Sequence, residues 1–240
     1  MAFGEENEIR AANETRFPDT HWSMVINAGD ESEPALNDLC RLYWRPLFNY
    51  CCGAGKSVAD AEDLTQGYFA ELLAARSLRS ANPMRGKFRT FLLSSFKNYI
   101  TDIHRRDSAQ KRGGDSVHLP FEINGSDTAL LSIGPDESPD AAFDRQWASD
   151  VVLRARTSLR DECVTSGRGD WFDAVAGERR GVAFQILAER FGSTEDAIKS
   201  FSLRLKKRFR NLLEREIANT VASPDEIPGE MAYIAALLKI

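Results

Sequence analysis

No uninterrupted apolar run in this chain approaches the ~18 residues that span a bilayer, so no membrane insertion is expected. The four cysteines, Cys40, Cys51, Cys52 and Cys163, form no Cys-x-x-Cys pair, and the three histidines, His21, His104 and His118, are scattered. Neither a metal site nor a cofactor is expected from them. The first ten residues, MAFGEENEIR, are acidic and carry no apolar segment. That excludes a recognisable secretory signal there and gives the expectation of a cytoplasmic protein. Strand-like alternation is missing throughout, as are a glycine-rich phosphate loop and a nucleophile with an adjacent base. An all-α, non-catalytic protein is the expectation.

What is present is ordinary in bulk and unusual in arrangement. Hydrophobic residues make up 42% and charged residues 28% of 240, enough to build cores in one or two domains. The formal net charge of -5 argues, taken alone, against nucleic acid. The charge is segregated, however. Residues 199–210 hold six bases (Lys199, Arg204, Lys206, Lys207, Arg208 and Arg210) and no acid, whereas residues 113–144 hold seven acids and no Lys or Arg.

Periodicity divides the chain. Residues 1–33 read as an extension. Leu36, Leu39, Tyr43, Leu47 and Tyr50 recur at helical spacing, with Pro46 expected to kink or divide the helix. Ser57 followed by Asp60 resembles a capping box opening a helix that buries Ala61, Leu64, Thr65, Tyr68, Phe69, Leu72 and Leu73. A third helix, about 87–106, carries a stripe of Phe88, Phe91, Leu92, Tyr99, Ile100 and Ile103. Residues 115–141 read as an acidic linker containing Pro120, Pro135 and Pro139. Helical spacing resumes at Phe143, Trp147, Val151, Ala155 and Leu159. The resulting scheme is two small helical domains, 34–114 and 142–220, with a short tail at 221–240.

Two stretches carry functional chemistry. In the first, Gln185–Ser200, a short helix ends at Gly192 and a second is capped by Thr194. Glu195 and Asp196 suit the second helix's positive end. Small Ala188 and Ala197 permit a close crossing, and Leu187, Phe191, Ile198 and Leu205 fill the angle. This is a helix-turn-helix pattern, whose second helix enters a major groove, with later bases suited to phosphates. An ordinary helical hairpin with a solvated basic face is the plainer alternative. In the second stretch, Asp60, Glu62, Asp63 and Gln66 line an outward helix face, either solvated or docking a protein. Phe88, Phe91, Phe96 and Tyr99 interleave with Lys87, Arg89, Lys97 and Arg105, a mixture that suits single-stranded nucleic acid where the rings are not core. The vicinal Cys51-Cys52 is a redox switch or simply a reduced pair near a helix end.

The segment Asp60-Ala61-Glu62-Asp63-Leu64-Thr65-Gln66-x-x-Phe69 resembles region 2.2 of bacterial extracytoplasmic-function sigma factors. Helix 88–106 resembles their regions 2.3 and 2.4, and residues 143–217 their region 4. The likeness is closest to a subgroup abundant in planctomycetes. It extends to Phe17-Pro18-x-Thr20-x-Trp22-Ser23, Tyr43-Trp44-Arg45-Pro46-Leu47, Arg85-Gly86-Lys87-Phe88-Arg89-Thr90-Phe91, Gln110-Lys111-Arg112-Gly113-Gly114 and Phe143-Asp144-Arg145-Gln146-Trp147. The resemblance implies a region 2 helical bundle and a region 4 helix-turn-helix joined by the acidic flexible linker. It implies RNA polymerase core, through its largest-subunit clamp and its flap, and promoter DNA as partners, with an anti-sigma factor or protein kinase as a candidate regulator. Asp60, Glu62, Asp63 and Gln66 become candidate polymerase contacts. Arg89, Lys97, Asn98, Arg105, Arg106, Lys111 and Arg112 become candidate contacts to the minus-ten element. Thr194, Glu195, Lys199, Ser200, Arg204, Lys206, Lys207 and Arg208 become candidates for the minus-thirty-five duplex. Ser193, Phe201 and Leu203 depart from the pattern, which has an apolar turn residue and then polar or basic groups there. A helix-turn-helix regulator acting without polymerase is the alternative, but it leaves the N-terminal half unexplained.

Overall fold

The computed structural model describes residues 33–74, 86–110, 132–177, 184–221 and 223–239. The expectations for the N-terminal extension, for most of the linker and for Lys111 and Arg112 fall outside these residues. The described chain is helical: α1 (Glu33–Gly53), α2 (Val58–Ala74), α3 (Phe88–Gln110), α4 (Pro139–Thr165), α5 (Gly169–Gly177), α6 (Phe184–Arg190), α7 (Glu195–Ala218), a 3-10 turn (Pro224–Glu226) and α8 (Ile227–Leu238).

Local chemistry sets most boundaries. α1 and α4 end, and the turn after α6 forms, by the same device. A glycine at positive φ (Gly55, Gly167, Gly192) lets two successive amides close back on the last helical turn, as in Gly192 N–H to Glu189 O and Ser193 N–H to Ala188 O. α2 opens on Ser57, whose Oγ accepts from Asp60 N–H at 3.1 Å and donates to Asp60 Oδ2 at 2.7 Å. Pro46 does not divide α1, which runs unbroken past it. The cost of the missing N–H is limited to the bond that Leu42 O would have accepted.

α1, α2 and α3 form a bundle joined by aromatic edges. Tyr43 meets Phe88 at 5.4 Å between ring centroids, Tyr50 meets Phe96 at 5.9 Å, and Tyr68 meets Phe96 at 5.0 Å. α4, 27 residues and so about 40 Å long, packs along α1 in the most extensive helix contact of the fold. Its predicted stripe, Phe143, Trp147, Val151, Ala155 and Leu159, is buried throughout. Between the two helices runs a buried polar chain. Asn49 donates to Gln146 at 2.9 Å, Gln146 donates to Asp150 at 2.9 Å, and Arg45 donates to Asp150 at 3.2 Å. Burial pushes the Asp150 carboxyl up, against the pull of Arg45 and the Gln146 hydrogen bond. α5, α7 and α8 attach to the remaining faces of α4. α7 lies antiparallel to it, with Arg208 on Glu162 and Arg154 on Glu216.

The described residues of the two expected helical units are in contact. One hydrophobic cluster runs from Leu39 in α1 through α4 to Ile217 in α7 and Ile234 in α8. α4 is the shared wall, packed on α1 as well as on α5 and α7. α4 also takes in the last three residues of the expected linker, 139–141, because Ser138 caps it and Pro139 fits its first turn. Arg145 pins the incoming chain by donating to Glu137 at 2.6 Å and to Ser132 O at 2.7 Å. We expect Phe143→Ala to destabilise the protein by about 3–5 kcal/mol. In urea, amides of both 88–110 and 195–218 should lose protection at the same lowered midpoint. Two separate midpoints, with only the second shifted, would contradict a shared core.

Candidate functional site

The acidic face of α2 is as expected: Asp60, Glu62 and Asp63 are exposed and Gln66 is half-buried, opposite buried Ala61, Thr65 and Tyr68. Asp60 has a second task, closing the helix start with Ser57, so it is a poor probe of any docking role. Glu62 and Asp63 carry no such burden in the α2 start.

α3 presents a more divided picture. Phe88 and Phe96 are fully buried and Phe91 and Tyr99 half-buried, so the aromatics among the bases belong to the core rather than to a stacking surface. The solvent side is polar: Thr90, Ser94, Asn98, Thr101 and Arg105 follow one another at steps of three or four and all are exposed. Arg106 is also exposed, 3.9 Å from Glu71, and Arg105 lies 3.6 Å from Asp102.

Arg89, a candidate DNA contact, is withdrawn from the surface. Only 6% of it is exposed. Its guanidinium lies 4.2 Å from the ring centre of Trp147 and 5.2 Å from that of Tyr233. Both terminal nitrogens go to Glu230 of α8, and Nε is 3.5 Å from Asp144. Lys87 also pairs with Glu230. Tyr233 donates its hydroxyl to Asp144 at 2.7 Å. Burial opposes ionisation of Glu230, but the hydrogen bonds from Arg89 and Lys87 outweigh it and hold the carboxyl below its usual range. Lys97 is tied to Asp140 at 2.7 Å, across the α3–α4 boundary. Sequence reasoning missed Glu230, Asp144 and Tyr233, because nothing in the tail's pattern announces a partner about 140 positions earlier.

At the other end of the molecule α6 and α7 meet across residues 191–194. Leu187, Ala188, Ile198 and Ala174 make a small separate cluster, flanked by Trp171 and Phe191. Leu205, expected in that angle, belongs instead to the main core. Thr194 caps α7 by accepting from Ala197 N–H at 3.2 Å. Phe201, a departure from the family pattern, is core, edge-on to Trp171 at 5.4 Å. Leu203 is 66% exposed, midway round the open arc that also carries Ser200 and Lys207. Lys199 and Arg204 flank this arc, and Lys199 is paired with Glu195 at 2.7 Å. Glu195, Arg204, Lys206 and Lys207 are exposed, whereas Arg208 is engaged in cis by a two-bond pairing with Glu162.

Residues 39–110, spanning α1 to α3, match the family described as sigma-70 region 2. The chain thus contains a sigma-70 region 2 domain, a module of non-catalytic transcription factors that act on DNA. No curated protein and no solved structure matches the chain. Among the described residues no helix is long and apolar enough to cross a membrane, and no group of His, Cys, Asp and Glu could hold a metal ion.

Burial weighs against thiolate formation at the cysteines. Burial pushes the Cys51 thiol up to about 12 and Cys40 up to about 11, and Cys52 is raised by burial and by Glu62. With thiolate scarce at pH 8, iodoacetamide should modify the half-buried Cys52 slowly and Cys40, Cys51 and Cys163 only after unfolding. Peptide mass mapping over time checks this, and rapid modification of Cys51 in the folded protein would contradict it.

Proposed function

We propose that the protein is a sigma factor of the extracytoplasmic-function type, which directs RNA polymerase core to specific promoters. The observation that carries the proposal is the match of α1–α3 to sigma-70 region 2. Its companion is the capped α6–turn–α7 unit further along the same chain, which suits a region 4 helix-turn-helix. A lone helix-turn-helix regulator has no use for a region 2 domain.

In this reading α2 docks on the largest-subunit clamp through Glu62, Asp63 and Gln66, with Asp60 shaping the helix start. α3 engages the minus-ten element, which its exposed stripe Asn98–Arg105 favours. α7 enters the major groove at the minus-thirty-five element. Ser200, Lys199 and Arg204 suit base edges, and exposed Leu203 suits a thymine methyl, the one apolar group in that groove. Lys206 and Lys207, about 20 Å from the start of the helix, suit phosphates. Arg208, held by Glu162, is the weakest of the candidates. Polymerase flap, anti-sigma factor and kinase remain proposed partners of the class.

Two tests follow. Glu62→Lys with Asp63→Lys should weaken binding to purified core polymerase at least about tenfold, since two attractive contacts become repulsive, while circular dichroism is unchanged. Full affinity in the folded double variant would remove α2 from the interface. On matched and mutated minus-thirty-five duplexes over a salt series, Lys207→Ala should weaken all sequences alike and lower the salt slope by about one contact. Arg204→Ala should cost about 1–3 kcal/mol on the matched duplex only. Sequence-blind losses for both would assign Arg204 to phosphate, and no loss for either would refute the α7 assignment.

A further inference from the structure

Along the α3 face that meets α4 and α8, three cations lie in succession: Lys87, Arg89 and Lys97. Each is matched by a carboxylate supplied from the C-terminal half. Glu230 takes Lys87 and Arg89, Asp144 adds to Arg89, and Asp140 takes Lys97. Glu230 is 1% exposed, yet both cations it neutralises come from the start of α3 and the residue before it rather than from its own helix. Its two oxygens engage Arg89 end-on, one on each terminal nitrogen, a two-bond pairing of the kind a guanidinium also makes with a phosphate. A cleft of about 830 Å³ runs alongside, lined on the α3 side by Lys87, Thr90, Ser94 and Lys97. The acids cover one rim of a basic surface that extends into open space.

We propose that Glu230, with Asp144 and Asp140, is an internal stand-in for nucleic-acid phosphate. α8 acts as a releasable clasp on a DNA-binding face of α3 made by Lys87, Arg89 and Lys97. The proposal rests on the sigma-factor reading of α3. α8 is joined to α7 through a short 3-10 turn and touches α3 through polar groups, while its apolar side sits on α4 and α7. Nucleic acid and the carboxylates cannot hold Lys87 and Arg89 together, so DNA affinity is reduced by the fraction of molecules that is closed.

The test uses the full chain and a fluorescent single-stranded DNA of mixed sequence at low salt, with core polymerase binding measured in parallel. Glu230→Gln keeps the shape of the side chain and removes its charge. It should raise DNA affinity about tenfold or more, as expected if a mostly closed population becomes mostly open. Adding Arg89→Ala should abolish the gain. Circular dichroism establishes that the variants are folded. In the wild-type protein, which needs no substitution, saturating DNA should speed amide exchange in residues 227–238. A folded Glu230→Gln variant that binds within twofold of wild type, with α8 exchange unmoved by DNA, overturns the clasp but leaves the sigma-factor reading standing. Should Glu230→Gln fail to fold, unmoved α8 exchange at saturating DNA alone overturns it. Absence of DNA binding by both proteins, together with absence of polymerase binding, overturns the clasp and the sigma-factor reading alike.

Discussion

The burial of α4 against α1 is the constraint on which the rest of the fold depends. Five of its residues at steps of four are withdrawn from water, which makes α4 the common wall for helices on every side. Apolar burial is not directional, so it would permit α4 to slide or turn on α1. The Arg45, Asn49, Gln146 and Asp150 chain removes that freedom, because a shift of one turn would leave buried polar groups without partners. The close approach of Gly53 to Pro139, where a Cβ would come within 3.1 Å of the proline Cα, adds a steric stop at the end of α1. Fixing α4 fixes α7, and with α7 the direction in which its capped N-terminus points.

The same arrangement gives the electrostatics their meaning. The sequence, of net charge -5, keeps many of its acids and bases in different places. Folding then brings some of them back together: Arg208 to Glu162, Lys97 to Asp140, and Arg89 to Glu230. Exposed pairs of this kind contribute little to stability and are readily exchanged. The Arg89–Glu230 pair is different, because both groups are withdrawn from water and Arg89 cannot leave Glu230 without a large cost unless another anion takes its place. Its presence ties α8 to the first turn of α3.

The sequence by itself determined the helices, their caps and their buried stripes. Those are local matters, set by the periods 3.6 and 4, by serine and threonine oxygens, and by glycine's access to positive φ. Thr194, Ser57, Gly192 and the α4 stripe were all legible for that reason, as was the outward placing of Glu62 and Asp63. Only the tertiary structure decided which stripe faced which. It joined the two halves through α1 and α4, moved Leu205 and Phe201 into the core, left Leu203 in solvent, and turned Arg89 from an apparent surface base into a buried partner of Glu230. Sequence spacing carries no information about such meetings, since a carboxylate finds its cation across some 140 residues only after several apolar faces have competed for cover.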